Sequence, residues 1–482
     1  MNRKLVGSLG LLVVWGALVY TFGVAAAVLC TAAVVFTGAV ILAAFFLPAT
    51  SPLCARSFIM MFLQWSNEFG DSVTPPKYTV MSEVMGYQKT KLMTIACELG
   101  VPDALGEDDR RSAGDLAHSL RWSSPSAGGD SASPQSPTAD QVKLLYRVLR
   151  ALASTGVFQL HADRTFSHTP TSLVLRADSP SSVQAYVVAH GRINYPAWEH
   201  LLALVRGSGQ NPLVASTGLE YYEYLRLDPQ GDRLLQRKME AIGKITNAGL
   251  LHSVDWTALL APCATSAGPA TLVDVGGGRG EFLRQLLRSG AGRAVRAVLV
   301  DSDHVVGLAK EELAKEELAK DAAEGAAVAV TVAPRLRFSS GNFIQGRGIP
   351  AGADTYMIKF VLNDWDDATV VRILSNVRTA MRPGARLLII EQVQPNAGCG
   401  GGPFDRSALS DVDMLCLNGG AVRTHSEFEA AMTAAGFVLE RVLDSTGITR
   451  VVVGKAVESP NFSDAGVATA VCPAVASFFS SS

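Results

Sequence analysis

Residues 272–287, LVDVGGGRGEFLRQLL, constrain the fold of this chain more than any other stretch. A short apolar run enters a glycine-rich turn and leaves it as a helix. Gly276, Gly278 and Gly280 let the backbone approach a ligand and leave helix N–H groups pointing at it. A dinucleotide fingerprint carries Gly or Ala where Glu281 stands here, so the spacing is instead D-x-G-x-G-x-G, with Asp274 on the strand itself. The next strand ends in VLVDSD, which places Asp301 to accept hydrogen bonds from ribose hydroxyls.

The surroundings agree. From Ala270 onward, short β-branched runs (TLVDVGG, RAVLVDSD, LRFSSGNF, DTYMIKFV, ARLLIIEQV, TRVVVGKA) alternate with helical stretches, the signature of an open parallel α/β sheet. Upstream, residues 60–122 read as helices; one stops at Gly100, Val101 and Pro102, and Ser112 caps the next with Asp115 in its first turn. ADQVKLLYRVLRALASTGVFQL is an amphipathic helix leading into a strand, and RTFSHTP supplies a second strand. Helix, helix and hairpin outline a winged helix. The helix around 142–152 carries Lys143, Arg147 and Arg150, but its apolar load suits burial against a partner subunit better than a major groove. A net charge of -2 gives no electrostatic case for nucleic acid. The duplication KEELAKEELAKD (310–321) places Glu311–Lys315 and Glu316–Lys320 at i,i+4, which predicts a solvated helix extension.

The ends differ in character. After Arg3 and Lys4 no charge occurs until Arg56, and residues 5–47 are almost wholly apolar. One helix of that length would run roughly 65 Å against a hydrocarbon core of about 30 Å, so two spans turning near 21–23 are expected. Such a hairpin returns Arg56 to the side of Arg3 and Lys4. The expectation is a membrane-anchored protein, with its globular part on the cytosolic or organelle-stromal side. The competing reading is a cleaved targeting peptide; the run is long for a signal core and poor in Arg and Ser for a transit peptide. Residues 123–138 (SSPSAGGDSASPQSPT) and 459–482 are expected to be disordered. Seven scattered cysteines form no metal knuckle, so no metal site is expected and a reducing compartment is. The domains are thus 1–55, an apolar segment; 75–256, helical; 257–456, α/β; and 459–482, a tail.

The D-x-G-x-G-x-G loop resembles motif I of class I S-adenosylmethionine (SAM) methyltransferases. GNF (341–343), YMIKFVLNDWDD, MRPGARLLIIEQVQP, DMLCLNGGAVRTHSEFEAAMTAAGF (413–437) and, upstream, LLYRVLRALASTGVF are similar to blocks of the plant-type O-methyltransferases, a family that includes the caffeate and acetylserotonin enzymes and bacterial relatives. The resemblance spans about residues 75–456. It implies a Rossmann-like parallel sheet behind a winged-helix-like dimerisation domain, a homodimer, and a pocket for a small-molecule methyl acceptor closed by the helical half. It also implies SAM as cofactor, bound by Asp274, Gly276, Gly278, Asp301, Asn342 (where an Asp commonly meets adenine) and Lys359.

The departures bear on chemistry. The family's catalytic His corresponds to Asn363 and a supporting Glu to Val422, while a second supporting Glu survives as Glu391. An amide is no general base at neutral pH, and losing one costs about 10²–10⁴ in rate. Three readings follow. The chain is an inactive SAM-binding scaffold, although its cofactor motifs are complete. Or His190 or His425 is the base for O-methylation of a phenolic or hydroxyindole acceptor. Or the acceptor atom carries no proton. A thioether sulfur becomes a sulfonium without a base, facing Asn363 and Glu391, with Tyr186, Tyr195, Trp198, Tyr221 and Tyr222 lining the pocket. In these departures the chain resembles the branch that S-methylates 4-methylthio-2-hydroxybutyrate in dimethylsulfoniopropionate synthesis. A carboxylate substrate of that kind calls for a guanidinium, Arg192 or Arg423; tertiary amines are acceptors of the same proton-free type. The thioether reading accounts best for Asn363.

Overall fold

The computed structural model describes residues 75–122, 136–262, 268–321, 331–397, 406–445 and 448–457. The chain divides into two compact units, residues 1–87 and 88–482. Of the first, helix α1 (Pro76–Val84) is described; it starts on Pro76 and leaves Val80, Met81 and Val84 exposed. The expected apolar anchor, residues 123–135 of the insertion and the tail from 459 lie outside the described residues. The expectation of a membrane-anchored protein is corrected: among the described residues no helix is long and apolar enough to cross a membrane.

In the second unit, the capping signals read from sequence form as expected. Gly100 takes φ 80° where α2 (Gly86–Leu99) ends. Ser112 and Asp115 make a reciprocal capping box at the start of α3 (Ala113–Ala117). Thr138, assigned above to the insertion, caps α4 (Ala139–Ser154) together with Gln141. Strand β1 (Arg111–Ser112) pairs with β3 (Thr165–His168), which pairs with β2 (Phe158–Leu160), giving a small antiparallel sheet in the order β1-β3-β2. Helix α4 buries Leu145, Leu149 and Leu152 in its own domain, against Leu116, Phe158 and Phe166, rather than keeping that face for a partner.

The main sheet has seven strands in the order β6-β5-β4-β7-β8-β10-β9. They are β4 (Thr271–Val275), β5 (Arg296–Asp301), β6 (Leu336–Ser340), β7 (Thr355–Lys359), β8 (Arg386–Gln392), β9 (Phe437–Asp444) and β10 (Thr449–Ala456). Six of them are the runs read from the sequence. The seventh, β9, is the edge strand FVLERVLD, where Glu440 and Arg441 interrupt the apolar pattern. Strands β4 to β8 are parallel, but β10 is antiparallel to both neighbours, so the sheet expected to be parallel is mixed. Residues 445–448 are too few for a crossover between parallel strands, and a short connection can only reverse the chain.

Chain order reverses between β4 and β7: β5 and β6 lie to one side of β4, β7 and β8 to the other. A crevice for ligands opens at the carboxyl ends of the strands flanking such a switch point. Val275, Asp301, Lys359 and Glu391 all lie at or beside those ends. Asp354 fixes the opposite ends. It is fully buried, accepts from the Thr271 N–H (2.7 Å) and hydroxyl (2.8 Å), and pairs with Arg382. The long helix α5 (Pro229–Ser253) then packs on both the helix Gln184–Ala189 and α6 (Glu281–Arg288), joining the helical half to the sheet.

The duplication in α7 (Asp303–Asp321) is more than a solvated extension. Glu316 pairs with Arg284 (3.0 Å) and Arg288, and Glu312 with Lys315 (3.0 Å) and Arg279 (3.4 Å). Replacing Asp354 by Ala leaves the Thr271 N–H and Arg382 without their acceptor. Chemical denaturation should show a loss of about 3–5 kcal/mol.

Candidate active site

The glycine turn is held by its neighbours. Gly276 takes φ 71° and donates its N–H to Val300 (2.8 Å). A Cβ there would sit 2.6 Å from a Val361 methyl, so crowding by protein, not by ligand, fixes that glycine. Gly278 (φ 56°) is different: nothing lies within 4 Å of where its Cβ would be, and its N–H donates to Asp301 Oδ2 (3.0 Å). Asp301 Oδ1 accepts from Ser302 N–H (2.7 Å), so this carboxylate shapes the loop as well as ending β5.

Beneath the loop Asp274 is buried and its Oδ1 has no partner. Burial pushes its carboxyl up to about 7, with Lys359 pulling it down and Asp301 pushing it up. Lys359 is held below the usual lysine range by burial, against the pull of Asp274 and Glu391. It lies 5.4 and 4.4 Å from the ring centres of Phe282 and Phe360, the latter in the left-handed region at φ 52°. Asn342 uses its Oδ1 to cap the turn Phe343–Gln345 (3.1 Å to the Gln345 N–H) and keeps its amide donor. This set suits a ligand with an ammonium for the orphaned Asp274 oxygen, hydroxyls for the remaining lone pairs of Asp301 and a ring edge for Asn342. SAM has those groups.

Beyond β7 the chain turns out of the sheet, and two buried side chains, Glu391 and Arg423, hold the turn. Glu391 Oε1 accepts from the N–H groups of Val361 and Leu362 (both 2.9 Å). Burial pushes this carboxyl up to about 8 despite those bonds, and Oε2 has no partner. Arg423 is also buried; it donates to the carbonyls of Leu362 (2.9 Å) and Trp365 (2.7 Å) and to Asp367 (2.9 Å). Arg423, expected to bind a substrate carboxylate, is therefore committed to the backbone. A Cβ at Gly420 would lie 2.0 Å from the Asn363 carbonyl, so only glycine fits beside it. The Asn363 side chain faces Met414 Sδ with its Nδ2 (3.5 Å), and its buried Oδ1 has no partner. Val422 is buried with an apolar side chain; its N–H donates to Asp411 (2.8 Å) and its carbonyl accepts from Gln394.

A polar and aromatic cluster faces this turn from the helical half. Helix α8 (Ser407–Leu417) carries Met414 and, beside it, Asp413. Asp413 accepts from Trp198 (2.6 Å) and Asn194 (2.9 Å) and lies 3.5 Å from His190 Nε2, bonds that hold its carboxyl below the usual range against burial. His190 also meets the Tyr186 carbonyl through Nδ1 (2.9 Å). Asp364, next to Asn363, accepts from Tyr222 (2.7 Å) and Asn418 (2.9 Å), and burial pushes it up to about 6. Tyr222 stacks on Trp365 at 5.7 Å. Tyr221 is packed nearby; burial, then the carboxylates of Asp364 and Asp413, push its hydroxyl well above the usual phenol range, so it stays a neutral phenol.

Two expected acceptor residues lie elsewhere. Arg192 is paired with Glu98 and opens on a separate cleft of about 560 Å³ between α2 and α5. The face of Tyr195 is covered by the Lys91 ammonium, 3.6 Å from the ring centre. His425 opens the helix His425–Ala434 behind its Thr424 cap and takes no part in the cluster's hydrogen bonds. Sequence reading missed Asp413, Asp364, Met414 and Lys238. The first two stand in the quoted blocks and were the findable ones; Lys238 looks like an ordinary helix-surface charge.

Residues 198–438 match the sequence model of the O-methyltransferase domain, and residues 81–178 that of the O-methyltransferase dimerisation domain. The chain is 30% identical over 369 residues to the phenazine O-methyltransferase PhzM of Lysobacter antibioticus, covering 77% of this chain and 93% of the relative. It is 26% identical over 309 residues to the phenazine-1-carboxylate N-methyltransferase of Pseudomonas aeruginosa, covering 64% and 82%. The crystal structure of LaPhzM superposes with a TM-score of 0.65 at 28% identity, covering 80% of this chain and all of that one.

Glu391 generates a prediction with a definite sign. Its folded pKa lies above the ordinary carboxylate value, so the native state holds a proton that the unfolded state releases. Its contribution to stability should fall as pH rises from about 4.5 to about 8 and level off beyond. Glu391→Gln should keep the turn and flatten that part of the stability–pH curve. Glu391→Ala should lose about 1–3 kcal/mol for each N–H left unpaired. Urea titrations between pH 5 and 9 measure both.

Proposed function

We propose that this chain, which belongs to the O-methyltransferase family and is a SAM-dependent methyltransferase with a homodimerisation domain, methylates a small acceptor at an atom that carries no proton, a thioether sulfur or a tertiary or ring nitrogen. The observation that carries this reading is Asn363. It occupies the turn between cofactor loop and aromatic cluster with a neutral amide whose Oδ1 is a buried, unpartnered acceptor. An amide takes no proton, and its carbonyl dipole stabilises positive charge developing on the acceptor atom. The surviving acid, Glu391, is turned to the backbone through one oxygen, and its other oxygen is buried without a partner.

Bound SAM supplies an electrophilic methyl group on a sulfonium. The protein's contribution is placement. Asp274, Asp301, Gly278, Asn342 and Lys359 hold the cofactor. Met414 and Asn363 position the acceptor's lone pair, and Tyr186, Trp198, Tyr222 and Trp365 enclose its body. Among the relatives, the phenazine-1-carboxylate enzyme is by its name an N-methyltransferase, which supports such an acceptor. The specific assignment to 4-methylthio-2-hydroxybutyrate loses its two guanidinium candidates, since Arg192 and Arg423 are both committed.

A second reading has its own observation. His190, bonded to the Tyr186 carbonyl through Nδ1, can take a proton from a hydroxyl through Nε2 if that nitrogen turns away from Asp413, 3.5 Å distant, and the family is named for O-methylation. Single-turnover rates separate the two. A proton-free acceptor gives a rate nearly flat from about pH 6.5 to 9, and Asn363→His slows it. A hydroxyl acceptor gives a rate rising through the pKa of its base, near 6.5 for an ordinary histidine. A rising profile that His190→Gln abolishes, together with labelling of phenols alone in an acceptor panel, would establish the second reading.

Cofactor affinity has a sign as well. The SAM ammonium pairs with ionised Asp274, whose carboxyl is pushed up to about 7, so calorimetric affinity should rise as pH goes from 6 to 8. Asp274→Asn should be weaker and insensitive over that interval. Asp301→Ala should weaken binding by roughly 1–3 kcal/mol through lost hydrogen bonds.

A further inference from the structure

Lys238 takes no part in the chemistry so far described. It sits within α5 at 8% exposure and forms no hydrogen bond or ion pair with any described residue. Among the described residues its ammonium lies 5.8 Å from the centre of the Tyr186 ring. It faces two carboxylates, Asp413 and Asp364, and neither comes within ion-pair distance. Both are already occupied: Asp413 by Trp198, Asn194 and His190, and Asp364 by Tyr222 and Asn418.

A buried ammonium without a counter-ion is costly, and chains normally pair it, neutralise it or replace it. Here it lies in the cluster that holds Tyr186, His190 and the neighbours of Asn363. The rings around it, Tyr186 (41% exposed) and Trp198 (36%), remain open to a ligand. The two arginines nearest in role are unavailable, Arg192 to Glu98 and Arg423 to the backbone. Lys238 is the cation of this cluster left for a bound anion.

We propose that Lys238 is a specificity-determining residue that recognises a carboxylate on the methyl acceptor, a proposal that rests on the acceptor reacting beside Asn363. The carboxylate completes the ion pair that the free protein lacks. The lysine's contribution therefore appears in acceptor binding and in the choice between charged and uncharged acceptors. The free protein bears the cost, so removing the charge should not destabilise it.

The test reads binding without turnover. Full-length protein saturated with S-adenosylhomocysteine is titrated calorimetrically with phenazine-1-carboxylate and with its uncharged carboxamide. Where neither phenazine binds, 4-(methylthio)butyrate and its amide replace them. Wild type should prefer the carboxylate at least tenfold. Lys238→Met should bring the ratio close to one, and Lys238→Arg should keep most of it. Without acceptor, Lys238→Met should melt at or above the wild-type temperature. Equal affinities in wild type, no binding of either carboxylate, or a preference that survives in Lys238→Met would each overturn the proposal. So would a melting temperature several degrees lower in Lys238→Met, which marks a structural lysine, or loss of turnover with the binding ratio intact, which marks a base. A pH-dependent rate would remove the proton-free reading and leave this binding result untouched, so the two fail separately.

Discussion

The turn that leaves β7 depends on two buried side chains of opposite hydrogen-bonding capacity, Glu391 and Arg423. Strand β7 ends at Lys359, and the chain must then expose N–H and C=O groups that no sheet neighbour satisfies. Glu391 collects the donors of Val361 and Leu362 from one side; Arg423 collects the acceptors of Leu362 and Trp365 from the other. The Oε1 of Glu391 accepts two bonds and a guanidinium only donates, so neither could serve in the other's place. Glycine at 420 completes the clamp, because the Asn363 carbonyl comes too close for any side chain there. The cofactor loop is fitted to the same turn: Val361, fixed by Glu391, is the residue against which Gly276 packs.

The electrostatics around this clamp run in one direction. Asp274 and Glu391 are both raised by burial, and each leaves one oxygen without a partner. Two unsatisfied carboxyl oxygens in one region make the free site receptive to cationic ligand groups. The helical half presents the converse, an unpaired ammonium. The first is complementary to a positively charged cofactor; the second is the group on which the proposed recognition of an acceptor carboxylate rests.

Much of this was legible in the sequence, for identifiable reasons. Glycines at 276, 278 and 280, the acid ending β5 and the run of apolar strands specify a nucleotide-type α/β fold through local sterics and periodicity. Caps at Ser112 and Gly100 were readable because a cap is a short-range hydrogen bond. What escaped depends on residues far apart in sequence. Arg423 looked like a substrate ligand until Leu362 and Trp365 were seen to fill its donors. Arg192 finds Glu98 across 94 residues. The repeat KEELAKEELAKD suggested pairs along its own helix, whereas Glu316 reaches Arg284 and Arg288, and Glu312 reaches Arg279 in the glycine loop. Strand β9 was missed because an edge strand tolerates charges that break the pattern. The antiparallel course of β10 follows from a connection whose partner, β9, was not seen.

Within residues 361–365 the clamp grips main chain; Arg423 reaches one side chain beyond them, Asp367. Glu391, Arg423 and Gly420 hold residues 361–365 through amide groups and carbonyls, and none of these bonds uses the side chain of Asn363. Position 363 is therefore an interchangeable fitting on a rigid mount. The hydrogen bonds that hold the turn do not depend on which side chain stands at 363, so the mount and the group it carries are separable.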